Sequence, residues 1–140
     1  MAGQRTARRL TRVLAALMTL LVVTASARVA AAQPEAVVRV EVEHLIGYVE
    51  HSGCDFFRNG SWYAGARAGE HLRTKYEYLL KRDQIRSAED FIVKAASFSS
   101  NSSLPYRVRC AGQPQQLAGA WLSKELVRSR RAAVATRSAH

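Results

Sequence analysis

The chain has 140 residues, 48% of them hydrophobic, with 21 Lys and Arg against 11 Asp and Glu and only two cysteines. That length supports one domain and argues against a multidomain enzyme, a coiled coil or a solenoid. The formal charge of +10 belongs to the two ends. Residues 1–32 carry five arginines and no acid, residues 33–122 carry eleven basic and ten acidic residues, and the stretch from Ser123 carries five basic residues and one acid, Glu125.

The chain opens with a cationic segment, MAGQRTARRLTRV, followed by an uncharged run rich in Leu, Val and Ala over residues 13–27 and then by VAAAQ. Ala30 and Ala32 have the A-x-A spacing that a signal peptidase accepts, so cleavage is expected after Ala32, with a site after Ala27 as the alternative. The run is shorter than the roughly 20 residues that span a bilayer as a helix, although retention as an anchor stays open as a second reading. No cysteine stands directly after it, which removes the lipoprotein route. The expected organisation is a signal peptide over residues 1–32, a compact helical domain over 33–127 and a basic, flexible tail over 128–140. The expected location is the periplasm or the exterior.

In such an oxidising compartment Cys54 and Cys110 read as one disulfide, the alternative being two buried thiols. The bond would close a loop of 56 residues, for which chain entropy gives a stabilisation of about 4 kcal/mol. No metal site is expected, because His44, His51, His71 and His140 are isolated or terminal and no ligand set has a recognisable spacing.

Pro34 and Glu35 suit the start of a first helix, and Val38, Val42, Leu45, Ile46 and Val49 recur on one of its faces before Ser52 and Gly53 end it. The segment CDFFRNGSWY is broken by Asn59-Gly60, a pair that tolerates positive φ, and reads as a small hairpin or folded loop. A second helix is expected from about residue 65 to 82, with Ala68, His71, Leu72, Lys75, Tyr76, Leu79 and Leu80 as its stripe. Ser87 caps a short third helix, since Asp90 follows three residues later and Phe91, Ile92 and Ala95 begin an apolar stripe. SFSSNSSLPY has the composition of a loop. YRVRC alternates as a brief strand that would pair with the FF or WY segment. A fourth helix starts near Gln115 or Gln116, uses Leu117, Ala120, Trp121 and Leu126, and fades from Arg128. The fold class expected is mainly α: three or four helices, a minor two-stranded β element and one disulfide.

The succession SGCDFFRNGSWY, AGEHLRTKY, SAEDFIVKAASFSSNSSLPYRV and WLSKEL resembles a family of small exported bacterial proteins, domain of unknown function 5329, over about residues 36–130. The resemblance implies export, a compact and mostly helical domain and no assigned chemistry. Matching positions include Phe56, Asn59, Gly60, His71, Lys75, Glu89, Asp90, Phe91, Tyr106 and Trp121. Asn101, Ser102, Ser103 and Leu104 depart from the serine-glycine turn usual in that family.

Three functional readings follow. The first is a non-enzymatic protein-interaction module of the cell envelope, because aromatics beside an arginine in DFFRNGSWY are the residue types that dominate interface hot spots. The second is a small-ligand or glycan pocket. It would use Arg58, Asn59, His71, Lys75, Ser97, Ser99, Ser100 and Tyr106, polar groups that orient a ligand over an apolar floor, with Phe57, Trp62 or Tyr63 as a stacking surface. The bland alternative for the serines is that they cap a helix and stabilise a loop. The third is a small hydrolase built on His71 and a serine of the 97–100 segment, which lacks a recognisable nucleophile turn. No cofactor is expected. The partner would be an envelope protein or a small ligand rather than nucleic acid, with weak contact of the basic tail to an anionic membrane or cell wall. Exposure discriminates the first two readings: Trp62 and Arg58 on a flat patch favour a protein partner, whereas both lining a concavity with His71 and Tyr106 favour a ligand.

Overall fold

The structure, a computed structural model, describes residues 34–139; the expected signal segment lies outside them. Helix α1 is Pro34–Glu50, strands β1 and β2 are Asp55–Arg58 and Ser61–Ala64, and helix α2 is Gly65–Leu80. Helix α3, Ala88–Phe91, runs on as a π-helical turn, Ile92–Ala96. Strands β3 and β4 are Arg107–Arg109 and Gln116–Leu117, and helix α4 is Ala118–Ser138.

The four strands form one antiparallel sheet in the order β2-β1-β3-β4. The expected mainly helical domain with four helices holds, and the minor two-stranded element is corrected to a four-stranded sheet. Pairing of the FF and VR segments follows the sequence. What the sequence hides is β4, two residues long and too short for any alternation to show. It pairs Val108 with Gln116 and Arg107 with Leu117.

Each element has a local cause. In the β1–β2 hairpin Arg58 opposes Ser61, and the two residues between them, Asn59 at φ 49° and Gly60 at φ 86°, take the positive φ values that this tight turn demands. The Ser87 side chain accepts a hydrogen bond from the Asp90 amide at 3.0 Å, capping α3 as expected, while the Asp90 carboxylate reaches back to the Arg86 amide at 2.9 Å. Gly65 opens α2 directly after β2, where a Cβ would collide with the Val49 carbonyl oxygen. Its missing side chain lets the start of α2 approach the end of α1 closely.

The stripe Val42, Leu45, Ile46 and Val49 is fully buried, together with Phe91, Val108 and Leu122. Trp121 joins the layers, stacking on Tyr48 with ring centroids 4.5 Å apart and meeting Phe56 edge-on at 5.6 Å. Polar ties close the periphery. Glu125 is only 3% exposed, and it accepts hydrogen bonds from Arg128 and pairs with His44 Nε2 at 2.7 Å. Burial works to raise its pKa, but these two partners outweigh burial and hold the carboxyl below its ordinary range.

Residues 128–138, read from sequence as part of a flexible basic tail, continue α4 as helix. Their apolar period does fade, but charge pairing takes over from packing: Arg130 donates to Glu41 of α1 at 2.6 Å and to Glu89 of α3 at 2.6 Å. No described helix is long and apolar enough to cross a membrane.

Cys54 and Cys110 form the expected disulfide, with Cα atoms 4.4 Å apart. It continues the β1–β3 register by one step beyond the Asp55–Arg109 pair, so covalent bond and ladder hold the same two chains. Reduction is expected to lower stability by about 4 kcal/mol, the loop-closure entropy of the 56-residue separation. Urea unfolding with and without reductant measures this; equal midpoints would show that the sheet holds without the bond.

Candidate functional site

Along β1 side chains alternate between the two faces of the sheet. Phe56 and Arg58 point toward the helices, together with Tyr63, which opposes Phe56 on β2, and Val108 on β3. Helix α2 crosses this face and presents Arg67, His71 and Lys75, three residues at four-residue intervals and therefore in one row. Between them lies a cleft of about 240 Å³. Its floor is apolar, with Val49, Phe56, Leu72, Ala96 and Leu122, and Arg58, Tyr63, Arg67, Glu70, His71 and Tyr106 supply polar groups.

Tyr106 reaches the cleft because its backbone is pinned on both sides. Its amide donates to the Ser97 carbonyl at 2.8 Å and its carbonyl accepts from the Ala118 amide at 3.0 Å. The phenol oxygen lies 3.3 Å from His71 Nε2. Arg58 comes within 2.7 Å of His71 Nδ1 and 2.9 Å of Nε2. A guanidinium can only donate, so the ring nitrogen that receives it must carry a lone pair. The tautomer that satisfies both neighbours has Nδ1 accepting from Arg58 and Nε2–H donating to Tyr106.

The electrostatics agree. Burial first, and then the charges of Arg58 and Lys75, push the His71 pKa down to about 4, so the imidazole is neutral at pH 7. Lys75 is itself lowered, by burial and then by Arg58; its ammonium donates to the Phe98 carbonyl at 2.9 Å and lies 5.3 Å from the centre of the Tyr106 ring. Tyr106 is raised by burial, with Arg58 pulling partly the other way. Arg58 and Arg67 each lie 5.3 Å from the centre of the Tyr63 ring, so one aromatic serves two guanidiniums.

The residues expected at a site divide into two groups. Arg58, His71 and Tyr106 line the cleft, and Lys75 stands beside them. Trp62 does not join them: alternation puts it on the opposite face of the sheet, 5.2 Å from Phe57 and covered by Arg109 at 4.1 Å. Asn59 is a turn residue whose side chain accepts from the Ser102 hydroxyl at 2.8 Å. Ser97 donates to the Ile92 carbonyl at 2.7 Å, closing the π-helical turn. Ser99 is buried and accepts from the Asn101 amide at 3.4 Å, and Ser100 is exposed on the turn. Among the described residues no serine hydroxyl is hydrogen-bonded to His71, whose polar neighbours are Arg58 and Tyr106.

Of the three aromatics expected as a stacking surface, Tyr63 lines the cleft, whereas the Phe57 and Trp62 rings pack together on the opposite face; Arg67 was not among the residues expected at the site. Arg67 was findable, since it stands four residues before His71, which stands four before Lys75. Which of the three aromatics would face the cleft depended on the β1–β2 register, which pairs Tyr63 with Phe56. Among the described residues no group of three His, Cys, Asp or Glu side chains stands close enough to hold a metal ion.

Comparison with known proteins places the chain in a family of unknown function (DUF5329), which it matches over residues 36–130, and the chain belongs to that family. Neither the curated proteins nor the solved structures gave a match.

The depressed His71 pKa carries a signed prediction. The unfolded imidazole titrates near 6.5 and the folded one near 4, so between these values the unfolded chain binds the extra proton. Stability therefore rises with pH across that window and is lost as pH falls through it. Thermal midpoints measured from pH 7 down to pH 4 should fall more steeply for the wild type than for His71→Asn, and parallel curves would place the imidazole in an ordinary solvated setting.

Proposed function

We propose that the protein binds a small ligand, non-covalently, in the cleft between α2 and the inner face of β1 and β2. The observation that carries this reading is convergence. Arg58, His71 and Tyr106 come from three separate chain segments and meet at one concavity with an apolar floor. Sites of this kind combine an apolar lining with a few placed polar groups, and commonly run from roughly 300 to 1,000 Å³. At about 240 Å³ the cleft suits a small guest. The two residues whose exposure discriminates the readings separate: Arg58 lines the concavity with His71 and Tyr106, which supports the ligand reading, while Trp62 lies on the opposite face of the sheet and supports neither.

Filling the floor is the direct test. Ala68 lines the cleft from α2, and Ala68→Phe places a ring in the space a ligand would use. In a fragment screen by ligand-observed NMR, fragments that bind the wild type should lose their signal with this variant while its circular dichroism is unchanged. Fragments that bind both proteins equally would move the ligand site elsewhere.

The same proposal places the protein outside the cytoplasm. Its support is the cationic, apolar and small-residue succession of residues 1–32 together with the Cys54–Cys110 bond, a type of bond that persists in oxidising compartments. Intact mass of the protein recovered from an extracytoplasmic fraction should correspond to residues 33–140 with no free thiol before reduction. A full-length mass with two free thiols would reject export.

A further inference from the structure

Among the described residues several exposed cations, such as Lys81, Arg82, Arg86 and Arg107, lack an ion pair, but Arg58 and Lys75 at the cleft lack one while partly buried. Arg73, Arg109, Arg128 and Arg130 are each hydrogen-bonded to a carboxylate. Among the described residues, none of Arg58, Arg67 and Lys75 has an ion-pair partner. Arg58 spends a donor on a neutral imidazole and Lys75 spends one on a peptide carbonyl, although both are partly withdrawn from water. A charge taken from water without an opposite charge is costly, and burial together with the two cations keeps His71 neutral beside them. Glu70 is the carboxylate lining the cleft, and it is exposed at the rim rather than paired with these groups.

We infer that the ligand of this cleft is a small organic anion: a carboxylate or phosphate head group met by the guanidiniums of Arg58 and Arg67 at Tyr63, on a body that covers the apolar floor. The inference rests on the reading of the cleft as a ligand site and names the ligand's class. Guanidiniums suit it, because their planar fork matches the oxygens of a carboxylate or phosphate, and the Tyr63 ring holds two of them in place. Lys75, behind Tyr106, adds charge without occupying the cleft. Burial is the first cause of the lowered His71 pKa and the charges of Arg58 and Lys75 add to it, so an anion seated among these cations would offset their part and let the imidazole take up a proton more readily in the complex than in the free protein.

Matched pairs of probes isolate the head group. Benzoate against benzyl alcohol, and glucose 6-phosphate against glucose, differ in the presence of the anionic group, and inorganic phosphate presents that group alone. In an NMR titration of the disulfide-bonded protein at low salt, at least one anion should bind tenfold or more tightly than its neutral partner. It should shift the Arg58, His71 and Tyr106 resonances and move the His71 titration upward in pH. Arg67→Gln, at an exposed position that leaves the core untouched, should weaken that anion about tenfold and leave the neutral probes unchanged. The tighter pair tells carboxylate from phosphate. Equal binding within both pairs would overturn the anionic class while leaving the cleft a ligand site. Inorganic phosphate binding as tightly as glucose 6-phosphate, with no preference for benzoate, would overturn the organic body. Anion shifts confined to Arg131 and Arg137 would overturn the site, and no binding by any probe would remove the anionic class, with the fragment screen deciding the cleft separately.

Discussion

Strand β1 is four residues long, and almost everything else in the domain is arranged around it. It has a neighbour on each side, β2 through a two-residue turn and β3 through both a hydrogen-bonded ladder and the Cys54–Cys110 bond. A strand so short has few pairs with which to resist slipping, and a slip of one residue exchanges its two faces. The disulfide continues the ladder in register and so works against that exchange. With the faces set, Phe56 goes to Trp121 and the core, Arg58 goes to the cleft, and Phe57 and Trp62 go to the far side.

Electrostatic organisation follows from the same geometry. On the outer surfaces several cations meet carboxylates: Arg73 bridges Glu43 and Glu50, Arg130 bridges Glu41 and Glu89, and Arg109 bonds Asp55 across the β1–β3 pair. These contacts tie α1 to α2, α1 to α3 and α4, and strand to strand. Each is exposed enough that its worth is modest, on the order of 1 kcal/mol or less. At the cleft the pattern reverses, with cations next to a neutral imidazole, a phenol and a peptide carbonyl. These cations pack against Tyr63 and Tyr106 without an ion pair to offset their charge, and that is the observation behind the proposed anionic ligand.

Much of the architecture was legible in the chain. The α1 stripe, the Asn59-Gly60 turn, the Ser87 cap and the cysteine pairing rest on interactions between residues close in sequence, or on there being only two cysteines. The serines of the 97–100 segment were legible too, in their structural role: Ser97 bonds the last turn of its helix and Ser99 its own loop. The misjudged parts have other causes. The two residues of β4 are strand because β3 lies beside them, and residues 128–138 stay helical beyond the apolar period, with Arg130 finding acids on two other helices. Neither partner is near in sequence.

The site shows the same division. The sequence alone determined that Arg67, His71 and Lys75 share one side of α2, because helical spacing requires it, and that Arg58 and Trp62 flank a tight turn. Only the tertiary structure decided that Arg58 meets His71 while Trp62 faces away, and that Tyr106, 35 residues further on, completes the contact. The reason is that helix and turn geometry depend on neighbours a few residues apart, whereas the face a strand presents and the reach of a loop depend on pairing partners that the chain brings together only when it folds.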